Sequence, residues 1–465
     1  MNRATPPPLL ASARLPASRR LSVEATATAR LAGPIVGGQL AVTGLNFIDT
    51  VMAGRLGAEA LGAVAVGASV FATLSFLPFG TLLAVPPLVA ALDGGGRRGE
   101  VAPFARQALW VGWGMAAAVA VALAFAARPA LVAIGIHPDL VPTTVGYLRG
   151  LAWGLPFWAL YLVLRFTSEG LGASRPALYF GLLGLPVDVL ANWLLMYGEW
   201  GFPRLGAAGA GHATSVVWVA QTLAMLLYVA RHPRYRGLGL LDRLERPGRA
   251  AIRRLLRVGL PAGGMIFVEG SIFSAAALVM GTLGPTTVAA HQVAINFAAL
   301  TFMVPLGLSM AISVRVGQAV GRGDPRAVRF AAGVGMAMAL ACQVVSAAVM
   351  AFAPRSVAGL YTDDAQVIAL AVELLLLAAL FQLSDGVQAS AAGALRGIRD
   401  TRVPMAIVVV AYWLVGFPLG YALAFAGGLG ARGLWIGLIA GLTVAAALLA
   451  ARFHRVSARP ERWAE

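Results

Sequence analysis

Two carboxylates stand in the middle of long apolar runs. Glu269 lies within "LPAGGMIFVEGSIFSAAALVMGTLG" and Asp385 within "LFQLSDGVQASAAGAL". A charge at bilayer depth costs about 2.5–3.5 kcal/mol even on the lenient insertion scale. No deep arginine is evident in the chain beside either one. An unpaired carboxylate in hydrocarbon holds a proton or a monovalent cation reversibly. Three more polar residues belong to the same question. Asp49 stands in "NFIDTVMAG", and Asp188 and Asn192 stand one helical turn apart in "LPVDVLANW", on one helix face. For Asp49 a helix cap or a backbone contact is an alternative. For Asp188 and Asn192 the alternative is a hydrogen bond between helices.

Other polar residues carry less. Asp363 and Asp364 in "LYTDDAQV" read as an outer loop or a helix start, where an N-cap accounts for them. His291 in "VAAHQVAINF" reads as a satisfied histidine rather than a pH switch. Arg149, Arg165 and Arg315 fall toward span ends, from which an arginine snorkels to water.

The elements that position these groups are apolar helices. Of 465 residues 59% are hydrophobic and only 12% charged, about half the charge of a soluble domain. Runs of about 20 apolar residues recur with short breaks from residue 31 to 454, long enough to cross a bilayer as helices. They are too continuous for the alternation of a membrane barrel. The expected fold is therefore all-α: an integral membrane protein of twelve transmembrane helices in two six-helix bundles.

The net charge of +16 comes from 36 basic residues, all arginine. Nucleic acid is not the implied partner, because arginines in membrane proteins gather in cytoplasmic loops. They crowd alternate breaks here and peak in "RHPRYRGLGLLDRLERPGRAAIRRLLR". Both termini and this linker are accordingly expected on the cytoplasmic side of a multi-pass cell membrane, the inner membrane in a bacterium.

The two halves repeat. "LPFG" at 77–80 pairs with "VPLG" at 304–307, and "LG" at 56–57 with "LG" at 283–284. "GGGRRGE" pairs with "GRGDPRA", and "EGLGASRP" with "RGIRDTRVP". The shift of about 227 residues, with one slip, marks a duplicated bundle whose copies share one orientation. The expected division is a flexible basic tail at 1–30, an N-terminal lobe at 31–230, a linker at 231–250, a C-terminal lobe at 251–454 and a tail at 455–465. The first 30 residues lack the compact apolar region of a cleaved signal peptide. A cavity between two such lobes is a natural substrate site.

Several functions find no support. Five histidines and the single Cys342 make no metal-ligand spacing. There is no GxxxxGK[ST] loop and no nucleophile–base constellation, so neither a nucleotide-driven engine nor an enzyme is expected. No cofactor is expected either, only a coupling ion.

Three stretches carry a family resemblance: "FIDTVMAGRLGAEALGAVAVG", "VAAHQVAINFAALTFMVPLGLSMAISVRVGQ" and "SDGVQASAAGALRGIRDTRVP". Together they resemble the MATE (multidrug and toxic compound extrusion) family, in its NorM-like branch, over residues 31 to 454. The resemblance implies a monomeric efflux antiporter of two six-helix lobes, which exports amphipathic and often cationic drugs in exchange for inward Na⁺ or H⁺. It also implies that Glu269, Asp385 and Asp49 are the cation-coupling carboxylates, with Glu269 and Asp385 as ligands where the ion is Na⁺. Asp188 and Asn192 match a polar site of the N-terminal lobe that in relatives is built from asparagines. Phe381 stands where some relatives carry a tyrosine that helps hold the cation. Asp363 and Asp364 become candidates for drug contact at the outer mouth. The wider superfamily also includes flippases for lipid-linked sugars. These need deep arginines to meet pyrophosphate, and the deep charges here are acidic.

Overall fold

The computed structural model describes residues 16–463. Of the expected N-terminal tail, residues 1–15 lie outside the described residues, as do 464 and 465 of the C-terminal one. The described residues contain no strand. Twelve helical elements are long and apolar enough to cross a bilayer when one bent pair is taken as a single span. In the N-terminal lobe they are α1 (Ala17–Leu56), α2 (Ala58–Gly94), α3 (Arg98–Ala133), α4, α5 (Arg175–Tyr197) and α6 (Ala207–Arg231). Element α4 is the bent pair, Leu140–Ala152 and Leu155–Gly170, with 48° between its segments. The C-terminal lobe holds α7 (Arg249–Thr282), α8 (Pro285–Gly321), α9 (Pro325–Phe352), α10 (Ala365–Gly397), α11 (Arg402–Phe425) and α12 (Ala431–Ser457).

The repeat noticed in the sequence has a backbone cause. Gly57 (φ 120°, ψ 173°) and Gly284 (φ 104°, ψ 165°) turn the chain alike between the first two helices of each lobe. Gly206 (φ 58°, ψ −137°) and Gly430 (φ 54°, ψ −130°) open the last helix of each lobe in the same way. A side chain is strongly disfavoured in these conformations, which is why the paired turns keep glycine.

Proline sets the irregular turns. Pro129 and Pro418 have no N–H to give to the carbonyl four residues back. Each is preceded by a widened π turn, Ala122–Ala126 in α3 and Val410–Gly416 in α11. Such turns redirect side chains and recur at functional sites.

The lobes meet along one half of their length. A Cβ built on Gly80 of α2 would lie 2.6 Å from the Gly263 Cα of α7, and one built on Gly321 of α8 would lie 2.1 Å from the Ala91 carbonyl oxygen of α2. The other glycine-mediated approaches between the lobes join Val36 to Gly307, Phe76 to Gly270, Thr81 to Gly259, Pro87 to Gly317 and Gly94 to Gln318. They run from the arginine-rich ends to the middle of the helices. At the opposite ends Phe47 of α1 and Leu278 of α7 are exposed.

Three expectations need correction. Residues 17–30 do not belong to a flexible tail. They are the first turns of α1, and Glu24 within them is fully buried. At the other end the chain packs back: Trp463 is buried and its indole donates to the Val456 carbonyl. Arg165 and Arg315 do not snorkel, although Arg149 is exposed. Arg165 is buried and donates to Glu169 at 2.8 Å and to Gln39 of α1 at 2.9 Å. Arg315 of α8 makes a two-pronged pair with Glu24, at 2.9 and 2.6 Å, and also donates to Gln318. Each guanidinium finds a carboxylate inside the protein, which satisfies its charge where it stands.

The linker is also held down. Trp110 donates to the Glu245 carbonyl at 2.8 Å, and Gln107 donates to the Arg246 carbonyl. Arg106 donates to the Glu245 carboxylate, and this hydrogen bond keeps that carboxyl below its ordinary range.

Candidate functional site

The C-terminal cluster is built from α7, α10 and α11. Glu269 accepts a hydrogen bond from the amide of Gln388, one turn along α10 from Asp385. Asp385 is buried, and its carboxylate lies within electrostatic range of Glu269. The two residues singled out in the sequence are thus brought together, though they are far apart along the chain. Helix α10 positions its part through small residues, Ser390 to Ala394, that let α8 pack closely.

Three partners were missed. Arg396 in the last turn of α10 is buried, donates to Ser309 at 3.1 Å, and stands within electrostatic range of Glu269. The expectation that no deep arginine accompanies the pair is therefore corrected. In sequence Arg396 reads as part of the loop "RGIRDTRVP", but one more helical turn carries it into the protein. Tyr412 lies in the widened turn of α11, buried and within electrostatic range of both carboxylates. Gln388 had no sequence signal beyond its polarity. Phe381 is packed between Phe273 and Trp435, with ring centroids 6.0 Å away in each case.

His291 is not the satisfied histidine expected. It is buried, its Nδ1 has no protein partner, and its ring meets the edge of Trp435 at 5.8 Å. Above the carboxylates, Gln382 links α8, α9 and α10: it donates to Thr301 and Ala298 and accepts from Gln343.

The N-terminal cluster gathers α1, α4, α5 and α6. Asn192 donates to Asp49 Oδ1 at 2.7 Å, and Thr214 approaches Oδ2 at 3.4 Å. This hydrogen bond therefore runs from α5 to α1. Asp188 Oδ2 and Asn192 Oδ1 are buried with no protein partner, so two oxygen acceptors remain open beside the Asp49 carboxylate. Tyr147 of α4 is buried within electrostatic range of both aspartates. Thr214 and Tyr147 are the members that sequence reasoning missed.

Asp364 belongs to neither cluster. Its Oδ1 accepts from the backbone N–H groups of Gln366 (2.8 Å) and Val367 (3.2 Å), which caps α10. Asp363 beside it is exposed.

Each lobe thus encloses two carboxylates with amide and hydroxyl oxygens around them. The described residues contain no group of three or more His, Cys, Asp or Glu side chains able to hold a metal ion tightly. Two carboxylates supplemented by amide and phenol oxygens suit a proton or a weakly held monovalent ion.

A polytopic helical protein of two like lobes, each with an acidic cluster, defines a membrane transporter class. The comparisons place it further: the MatE family model matches twice, over residues 34–194 and 261–422, and the chain belongs to the MatE family. Multidrug resistance protein PmpM of Pseudomonas aeruginosa is 44% identical over 454 residues, covering 96% of this chain and 95% of that protein. Probable multidrug resistance protein NorM of Xanthomonas campestris is 43% identical, covering 95% and 96%. The solved outward-facing conformation of a multidrug resistance MATE family transporter superposes with a TM-score of 0.85 at 22% identity, covering 94% of this chain and 97% of that one. The eukaryotic MATE transporter AtDTX14 gives a TM-score of 0.83 at 20% identity, covering 96% and 100%. These distant likenesses concern the fold.

Proposed function

We propose that this protein is a multidrug exporter of the cell membrane that expels amphipathic, often cationic, compounds in exchange for inward Na⁺ or H⁺. The observation that carries the reading is the C-terminal cluster. Two carboxylates held in electrostatic range inside an apolar lobe repel one another when both are ionised, and a cation or proton relieves that repulsion. The membrane potential drives the ion in, with about 2.3 kcal/mol per charge per 100 mV.

Binding and release then favour different packings of α7, α10 and α11, and hence different arrangements of the lobes. Ion and drug need not touch. Joined on their arginine-rich side and parted opposite, the lobes correspond to an outward-open form, given cytoplasmic termini. With α1 complete, residues 17–230 and 251–454 serve as the moving units, and Glu24 of the first reaches Arg315 of the second. The N-terminal cluster of Asp49, Asp188 and Asn192 provides a second place for a proton or cation, or for a cationic drug. Asp363 takes part at most at the outer mouth.

The test is transport in liposomes by the purified protein, with a Na⁺ gradient and a pH gradient imposed separately. Movement of a cationic dye under one gradient, abolished by Glu269→Gln, is the expected result. Dye movement under neither gradient, by folded protein, overturns the reading.

A further inference from the structure

Several arginines on the linker side are occupied. Arg106 holds Glu245, Arg452 holds Asp400, Arg315 holds Glu24, and Arg98 and Arg234 donate to backbone carbonyls. Four are not. Arg249, Arg253 and Arg257 of α7 and Arg402 of α11 are exposed and make no ion pair or hydrogen bond with any described residue. They line one groove with Ile252, Leu256, Leu260 and Pro261, of about 590 Å³.

The spacing matters. Arginines at i, i+4 and i+8 stand on one helix face, and they climb about 12 Å from the linker into the span. Arg402 closes the groove from the neighbouring helix. The apolar lining continues past the arginines. Leu260 and Phe267 on α7, and Val403 and Val410 on α11, are exposed large side chains seven residues apart on each helix. Each pair lies on one face, so two apolar stripes run from the arginines toward the middle of the bilayer.

We propose that this groove is a binding site for an anionic phospholipid, with the phosphate held by Arg253, Arg257 and Arg402 and an acyl chain laid along Leu260 and Phe267. Guanidinium forks match phosphate oxygens in geometry and charge. Basic pockets between helices at the cytoplasmic surface suit acidic headgroups. A soluble anion would use the arginines alone and leave the apolar stripes without a role, so the continuity of the two surfaces favours the lipid. The inference concerns binding and does not depend on what the protein transports.

The experiment uses the full-length protein in neutral detergent, titrated with dioleoyl phosphatidylglycerol or dioleoyl phosphatidylcholine, with bound lipid counted by native mass spectrometry. Saturable retention of the phosphatidylglycerol and not of the phosphatidylcholine is expected. The variant R253Q/R257Q/R402Q should weaken that binding about tenfold or more, from the loss of three charges near one phosphate. A control, R231Q/R236Q/R246Q, removes three exposed arginines elsewhere on the same side and should leave it unchanged. Leu260→Asn should weaken it without altering charge. Inorganic phosphate in large excess should not displace the lipid. Equal retention of both lipids overturns the proposal, as does an equal effect of the two triple variants. Displacement by phosphate together with indifference to Leu260→Asn assigns the site to a free anion and overturns the lipid. Should the triple variant not fold, the single variants R253Q and R402Q, on separate helices, carry the same comparison.

Discussion

The Glu24–Arg315 pair ties the first helix of one lobe to the second helix of the other, and Glu24→Gln unties it. Glu24 is fully buried, and the Arg315 side chain is only 12% exposed. Removing one partner of a buried pair costs about 3–5 kcal/mol, because the remaining charge is left uncompensated. Arg315 keeps the Gln318 amide oxygen as an acceptor at 2.9 Å and some access to water, so the lower end applies, about 3 kcal/mol. The cost falls on one arrangement only. When the lobes part on the arginine-rich side, both side chains reach water and the pair contributes little. The equilibrium between the two arrangements should therefore shift by about a hundredfold, at about 1.4 kcal/mol per factor of ten. The readout is maleimide labelling of a single cysteine at Ala91, which packs against Gly321 where the lobes meet, in a background where the exposed Cys342 is serine. Labelling should accelerate by about that factor in Glu24→Gln. In Glu24→Gln/Arg315→Gln much of the acceleration should disappear, since no charge is stranded. Labelling within threefold of the parent rate, in protein of normal abundance, would refute the idea that this pair holds the lobes together.

Glu269→Gln and Asp385→Asn should each leave protein of normal abundance in the membrane yet abolish gradient-driven dye efflux, measured in liposomes. Wild-type rates in both would remove the proposed role of the C-terminal cluster. Tyr412→Phe should keep transport but raise the concentration of driving ion needed for half-maximal rate by about threefold to tenfold, the effect of one hydrogen-bonding group. An unchanged ion dependence would place Tyr412 outside the site. Gly80→Val should cost about 1–3 kcal/mol of packing between the lobes, read as a lower melting temperature and faster labelling at Ala91. Cysteines introduced singly at Arg246 and Thr362 should be labelled from outside intact cells at 362 only, and the reverse would overturn the assigned orientation.

What could be read from the chain alone were properties that each residue carries in its own neighbourhood. Helical spans follow from runs of apolar residues long enough to cross hydrocarbon, whatever lies next to them. Glu269, Asp385 and Asp49 stood out because a charge in such a run is costly wherever it ends up. The repeat was legible because its glycines answer to local backbone geometry: Gly57 and Gly284 need the same left-handed φ. The Arg165–Glu169 pair was legible too, at the i, i+4 spacing of "RFTSE", and was passed over because each charge was weighed singly. Tertiary structure decided which charges meet. Glu24 and Arg315 are 291 residues apart, and no periodicity marks them as partners. Tyr412 lies within electrostatic range of the carboxylates of α7 and α10 from a widened turn of α11 before Pro418, and Arg396 stays inside because α10 runs one turn further than its charge suggests. Hydropathy is a sum over single residues, whereas a buried ion pair or an acidic cluster is a property of two or more helices in a particular packing. Only the packing can say whether a deep charge is neutralised, as in Arg315, or left open to a passing ion, as in Asp188.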